Sequence, residues 1–466
     1  MDHQDESPSP STRVKLVAST GDITAGPAPA TARDSRGDGD IRGYFEAAQW
    51  TADGTTLLTS SSSNEVSGYI VPADLLSARP APHALTPSAR IPLPEPSSVL
   101  AGAPYFDLSS PWTNQVLVSA RDHPLQLFYL DPSTISPTTT TSSSSTPVVA
   151  ASSSYPLTKD PRSETFLAAT SLVWPAPGTH FVAGARSLLA RYDASRAGDG
   201  PVSRIRTIPS ERHLSKGGGV GMRGAVSALG HEPGGGGGLI AAGTWTRWVG
   251  LYDFGVGECV ATWGIASAAD DDEVGGGGGD GVTQTVWSPC GRYLVVAERK
   301  ARAALVYDVR VTGRLLGWLA GREAACNQRI GCDVFPGHDD GGGFEVWSGS
   351  AGGAVRVWEG VGGREGAHEP AWGWRAHDRS AVGSACVHMS GSVVATCAGS
   401  WEFPDVEEEG DEGEGEMGDG AVEKRMPWMR RRNKESSLKI WSIEGGQGDE
   451  DDDERRGAEE EEAKLE

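Results

Sequence analysis

Short apolar runs recur along the chain, each closed by a turn rich in Ser, Pro or Gly, and their order repeats. The clearest phrase is Thr285-Val-Trp-Ser-Pro-Cys-Gly291, then Tyr293-Leu-Val-Val-Ala297, then Ala304-Leu-Val-Tyr-Asp308. These runs are too short for helices and rich in β-branched and aromatic residues, so each phrase predicts three strands joined by tight turns. Kindred phrases begin at Ala48, Leu172, Ala225, Cys332 and Ser384, and a shorter one links Val116–Ala120 to Leu127–Asp131. Fourth-strand runs such as Cys259–Trp263 and Leu315–Leu319 lie between phrases.

Seven phrases of four short strands predict an all-β chain, a seven-bladed WD40 β-propeller. The competing reading, unrelated strand triplets in paired β-sandwiches, leaves the regular phase of turns and aromatic-Asp strand ends unexplained. Third strands end at Asp131, Asp193, Asp253, Asp308, Glu359 and Ser442, so the spacings are 62, 60, 55, 51 and 83 residues. A WD40 unit takes about 40–45. The excess falls in low-complexity insertions expected to be disordered, at about 132–154, 266–281 and 405–436. The propeller is expected over 44–443, with a mostly disordered N-terminus, 1–43, and an acidic disordered tail, 444–466. The last phrase lacks an outer strand, and the isolated run Arg13–Val17 is the candidate to close the ring. Only Ala376-His377-Asp378 resembles the Gly-His element that usually opens such a unit.

Composition changes the picture only once it is resolved by position. The formal net charge is −22, which at first sight argues against a nucleic-acid partner. Eleven carboxylates and no Lys or Arg lie between Glu402 and Glu423, and eleven carboxylates against three basic residues between Asp449 and Glu466. Asp270–Glu273 with Asp280 forms a third acidic patch. Like-charge runs stay solvated, so the acidity belongs to appendages and the folded body is nearly neutral. No apolar run approaches the roughly 20 residues that span a bilayer, and no secretory signal is visible at Met1. The six cysteines are scattered without a C-x-x-C pair, which predicts buried free thiols and no zinc site.

Signals of an enzyme or a cofactor are absent. The glycine runs 217–219, 234–238 and 275–279 lack the Lys-Ser/Thr of a phosphate loop and read as spacers. His377-Asp378 could act as a base, but inside a propeller blade such a pair more often bonds its own blade. Three features carry surface chemistry. Asn327, Gln328 and Arg329 offer forked donors and acceptors suited to bases and phosphates, or else bond their own loop. Arg121, Arg186, Trp245, Arg247, Arg299, Lys300 and Arg302 cluster after second strands, a corner that recurs on one rim and suits splayed single-stranded RNA. The alternative is ordinary solvated turns. Arg430, Arg431, Arg432 and Lys434 lie in a basic island that reads as a nuclear-localisation patch or as the partner of the acidic run beside it.

Gly321-Arg-Glu through Asn327-Gln-Arg-Ile330, with Trp347-Ser-Gly-Ser-Ala-Gly-Gly-Ala-Val-Arg-Val-Trp358, resembles the telomerase Cajal body protein family of WD-repeat scaffolds. Tyr105-Phe-Asp107, Ser119–Leu125 and the Phe403-Pro404 ahead of an acidic loop fit the same pattern, over about 43 to 443. The chain departs from it at Ser400-Trp401-Glu402, where the family often has Gln-Arg. The resemblance implies a non-catalytic nuclear scaffold that binds small nuclear or telomerase-type RNA. It implies a role in ribonucleoprotein biogenesis, RNA localisation or, as in fungal relatives, pre-mRNA splicing. A monomer without cofactor or metal is expected. The alternative is a WD40 protein–protein scaffold without RNA contact.

Overall fold

In the computed structural model, residues 13–23, 43–130, 146–160, 162–208, 221–234, 238–274, 279–337, 343–400 and 435–444 are described. Their strands form seven sheets, arranged as the seven blades of a β-propeller. Blade one is Phe45–Trp50, Thr56–Ser61, Glu65–Ile70 and Ala89–Pro92. Blade two is Ser97–Gly102, Gln115–Ala120, Leu125–Tyr129 and Ser153–Tyr155. Blade three is Ser171–Val173, His180–Ala185, Leu188–Asp193 and Ser203–Arg206. Blade four is Val226–His231, Leu239–Thr244, Trp248–Asp253 and Glu258–Gly264. Blade five is Val282–Trp287, Tyr293–Glu298, Ala304–Asp308 and Leu315–Leu319. Blade six is Cys332–Pro336, Phe344–Gly349, Ala354–Val361 and Trp372–Arg375. Blade seven takes Val382–Val387, Val393–Ala398 and Ser437–Glu444 from the end of the chain and Arg13–Ser19 from its start.

Second strands are sandwiched between neighbouring blades, which is why they read as continuous apolar runs. Val393–Ala398 and Phe344–Gly349 are buried at every position. Small residues near their ends let the next blade approach. A Cβ on Gly243 would lie 2.3 Å from Val282 Cγ1, and one on Gly349 would lie 2.3 Å from Val382 O. Side chains then stitch inner strand to inner strand. Ser171 Oγ donates to Val226 O at 2.6 Å, and Gln284 both accepts from Cys332 N at 2.7 Å and donates to Cys332 O at 2.8 Å. Asp333 accepts from Val387 N at 2.8 Å and Ser384 Oγ from Ala48 N at 3.1 Å. Burial pushes the Asp333 carboxyl up to about 6 against its backbone donors.

Arg13–Ser19 pairs antiparallel with Ser437–Glu444, from Arg13 opposite Glu444 to Ser19 opposite Lys439, with a bulge at Val17. Two outer strands carry a further strand in parallel, His83–Ala84 beside blade seven and Gly366–His368 beside blade five.

Several local expectations need correction. Ser97–Gly102 forms the inner strand of blade two, where the sequence pattern predicts none. Within 266–281, expected to be disordered, Ala266–Ala269 forms a helical turn and Asp272–Val274 a 3-10 turn. Salt bridges to Arg247, Arg299 and Lys300 hold this acidic stretch. Ser153–Tyr155, which begins within 132–154 and runs one residue past it, is an outer strand. The cysteines are free, but Cys259 and Cys290 are exposed rather than buried, because they lie on an outer strand and in a turn.

Candidate nucleic-acid interface

Segments entering an inner strand and turns leaving a second strand meet on one face of the ring. Asp280 N donates to Arg299 O at 2.8 Å, Arg322 N to Arg302 O at 3.2 Å, Trp245 N to Ala225 O at 3.3 Å and Arg121 N to Pro96 O at 3.3 Å. Arg121, Arg186, Trp245, Arg247, Arg299, Lys300, Arg302 and Asn327–Arg329 therefore share this face. The second-strand turns need a left-handed residue, which blade one fills with Asn64 (φ 60°) and blade two with Asp122 (φ 58°). Blade four uses Arg247 (φ 62°) and blade five Lys300 (φ 61°). Placing such long side chains there costs about 1–2 kcal/mol.

The cations divide by partner. Arg247 is clamped between two carboxylates. Its Nε and Nη2 reach Glu298 at 2.7 and 3.1 Å, and its Nη1 and Nη2 reach Asp270 at 2.9 and 2.9 Å. Burial alone would lower its proton affinity; the two acids outweigh that and raise it. Arg299 Nη2 donates to Asp280 at 2.7 Å while its guanidinium lies 4.4 Å from the Trp245 ring centroid. Lys300 Nζ reaches the same Asp280 oxygen at 3.3 Å. Lys300 and Arg299 hold the Asp280 carboxyl below its ordinary value. Arg121, Arg186 and Arg302 are exposed, with no side-chain ion pair among the described residues. The exposed Arg379, in the turn ahead of blade seven, joins this face and was missed in the sequence. Its only signal was a basic residue just before an inner strand.

The Asn327-Gln-Arg loop crosses from blade five to blade six and bonds to blades four and seven. Arg329 Nη2 donates to Ser227 O of blade four at 3.2 Å. Arg329 is solvent-exposed, but the protein packed around its guanidinium lowers its proton affinity, and partial burial raises that of Glu46 in blade one; each charge opposes the other's shift. Gln328 Nε2 donates to Gly399 O of blade seven at 2.8 Å, so Gln328 ties the loop down, while Asn327 is exposed. Beneath the loop lies Arg322, 1% exposed. It donates to Ile330 O, to Glu298 O at 3.4 Å and to Ser348 Oγ at 3.3 Å.

The corresponding place in blade seven belongs to His377. Its Nε2 bonds Thr396 Oγ1 at 2.8 Å and its Nδ1 bonds Glu435 at 2.9 Å, while Trp441 Nε1 donates to Thr396 at 2.9 Å. This buried network occupies both ring nitrogens within the blade. His377 is legible in the sequence, whereas Arg322, which stands in for a histidine one blade earlier, is not. Arg430, Arg431, Arg432 and Lys434 lie outside the described residues. The strand ends that flank their segment, Gly399 and Glu435, open on the same face. Among the described residues no helix is long and apolar enough to cross a membrane, and no group of three or more His, Cys, Asp and Glu could hold a metal.

A chargeable rim, a half-exposed indole capped by a guanidinium, and exposed arginines can together stack on bases and contact phosphates. No protein-family model matches the chain. Among curated proteins it is 26% identical to telomerase Cajal body protein 1 of Bos taurus over 406 residues, which is 86% of this chain and 65% of that protein. It is 25% identical to the Homo sapiens protein over 405 residues, 85% of this chain and 63% of that one. The chain thus spans just under two thirds of these relatives' length. It is also 23% identical over 319 residues to guanine nucleotide-binding protein negative regulator 1 of Schizosaccharomyces pombe, 68% of this chain and 70% of that protein. The family likeness drawn from the sequence motifs is borne out by these matches.

Proposed function

We propose, starting from the chain's kinship with the telomerase Cajal body proteins, that it is a non-catalytic nuclear scaffold that binds small nuclear or telomerase-type RNA on the basic face. In this reading it supports ribonucleoprotein biogenesis, RNA localisation or pre-mRNA splicing. The observation that carries it is the gathering of Arg121, Arg186, Arg302, Arg379 and the Arg299–Trp245 stack on one face, around the Asn327–Arg329 loop. Arg186 and Arg302 act as phosphate contacts, Trp245 with Arg299 as a stacking platform, and Asn327 as a base-edge contact. Gln328 is a positioning residue, since its amide holds Gly399. Arg247 sets the turn and is spent on Glu298 and Asp270.

The test is sequencing of RNA copurified with the tagged protein from its native cells, followed by crosslinking of that RNA to purified protein. Crosslinked peptides are expected from 184–187, 245–247, 299–302 and 326–330. Arg186→Glu with Arg302→Glu should lower affinity at least tenfold and flatten its salt dependence. Absence of any crosslink from a normally folded protein would sink the reading.

A protein-only scaffold is the second reading. It is favoured by the neutralisation of Arg247, Arg299 and Lys300 by Asp270, Asp280 and Glu298. Complexes that survive nuclease and depend little on salt would support it.

A further inference from the structure

We propose that the outer edge of blade four, Ala261–Gly264, is a strand-addition site that takes, in parallel, an extended segment of a partner protein flanked by basic residues. The inference stands apart from RNA binding and rests on a repeated device within the ring. Outer strands of blades four, five and seven each carry one bulged residue. In blade four Cys259 faces Tyr252 and Ala261 faces Leu251, leaving Val260 unpaired. In blade five the bulge falls on Leu316, and in blade seven on Val17.

Beyond the bulge, blades five and seven are already occupied. Gly317, the first residue after it, lies opposite Gly366, and Ala18 lies opposite His83, both in parallel strands. Ser19 O accepts from Leu85 N at 2.8 Å, and Ala320 N donates to His368 O at 2.9 Å. By register, Thr262 corresponds to Ser19 and to Trp318, and Gly264 to Ala320. The Thr262 N–H and C=O and the Gly264 N–H therefore point away from the blade. Among the described residues no backbone group pairs with them.

The reason is the length of the next connection. In blades five and seven the added strand comes from the link between the third and outer strands of the following blade. In blade five that link is short and coils into the 3-10 turn Val309–Val311. From it Gly313 comes close, its Cβ direction 3.4 Å from Trp263 Cβ. A free edge is normally blunted by Lys, Pro or a cover. Glu258–Gly264 has none of these, and Val260 is 59% exposed. The bulge does not block pairing, since blades five and seven carry the same one.

Charge selects the occupant. Glu258 stands at one end of the edge, and the exposed Asp271, Asp272 and Glu273 lie beyond the other. A basic-flanked segment fits, whereas this chain's own acidic tail is repelled. Main-chain bonds supply affinity in such recognition, and alternate side chains supply specificity.

The probe is a fluorescein-labelled peptide of residues 364–370, which contains the strand that fills blade five, carrying Glu365→Lys and Glu369→Lys. Mixed with the full chain, it should slow amide exchange in 258–265. Thr262→Pro, which removes one outward N–H without touching the blade's own ladder, should weaken binding at least tenfold. Thr262→Ala should leave it unchanged. If Thr262→Pro lowers the melting temperature, exchange on the unsubstituted protein decides alone. No protection of 258–265 at millimolar peptide overturns the proposal. So does protection already present in the free protein that vanishes on dilution, because a second copy would then be the occupant. Arg186→Glu should leave peptide binding intact, which separates this test from that of RNA binding.

Discussion

Replacing the buried Arg322 by Met tests whether a guanidinium, in place of a histidine, holds blades five and six together under the Asn327–Arg329 loop. Arg322 donates to Ile330 O, Glu298 O and Ser348 Oγ. Ser348 keeps an acceptor for its one hydroxyl hydrogen, Gly349 O at 3.0 Å or Gly331 O at 3.3 Å, so the loss falls chiefly on two buried carbonyls. A hydrogen bond from a charged donor contributes about 1.5–3 kcal/mol, so two lost bonds come to about 3–6 kcal/mol. Removing a buried charge returns part of its desolvation cost. The expected net loss is about 2–4 kcal/mol. Urea unfolding followed by tryptophan fluorescence measures it, and amide exchange over 324–331 should quicken in parallel, because Ile330 has lost its donor. Arg322→Lys, which keeps the charge but not the fork, should fall between the two. A loss under about 1 kcal/mol with an unchanged loop would refute the reasoning.

Blade seven should lose stability on acidification. Burial would raise Glu435, but bonds from His377, Lys439, Ser437 and the Asp378 N–H outweigh it and hold the carboxyl well below its ordinary 4.5. Such an acid stabilises above its unfolded value and loses that contribution as pH falls through the folded one. Burial lowers His377 below 6.5, so its contribution, present above 6.5, is also lost on acidification. Melting temperature should therefore fall below pH about 6.5 and more steeply below about 4.5; His377→Asn should remove the first step and Glu435→Gln the second. Deleting residues 1–20 removes the strand opposite Ser437–Glu444 and should lower the melting temperature and broaden the transition. An unchanged melt would mean the ring closes without that strand.

The ring was legible because its signals are local. Asp193, Asp253 and Asp308 recur at third-strand ends since each carboxylate caps the next turn, accepting from Ser195 N at 2.9 Å, Gly255 N at 2.7 Å and Arg310 N at 2.9 Å. Ser97–Gly102 escaped because Ser-Ser-Val-Leu-Ala-Gly shows neither alternation nor β-branched density. His83–Ala84 and Gly366–His368 are strands only because a neighbouring edge pairs with them. On the basic face the sequence located the cations but not their partners. Arg247 meets Glu298 and Asp270 across 51 and 23 residues, and no spacing rule connects them.

Closing the ring with the first strand has a consequence for birth on the ribosome. Thr20 and Leu438, joined by a hydrogen bond, are separated by 418 residues. At about 5–20 residues per second, that strand waits roughly 20–80 s for its partner to be made. Six blades can stack while the seventh still waits for Ser437–Glu444 to be made. The nascent chain therefore carries an open seam whose lifetime grows with every insertion lengthening the blades between its ends.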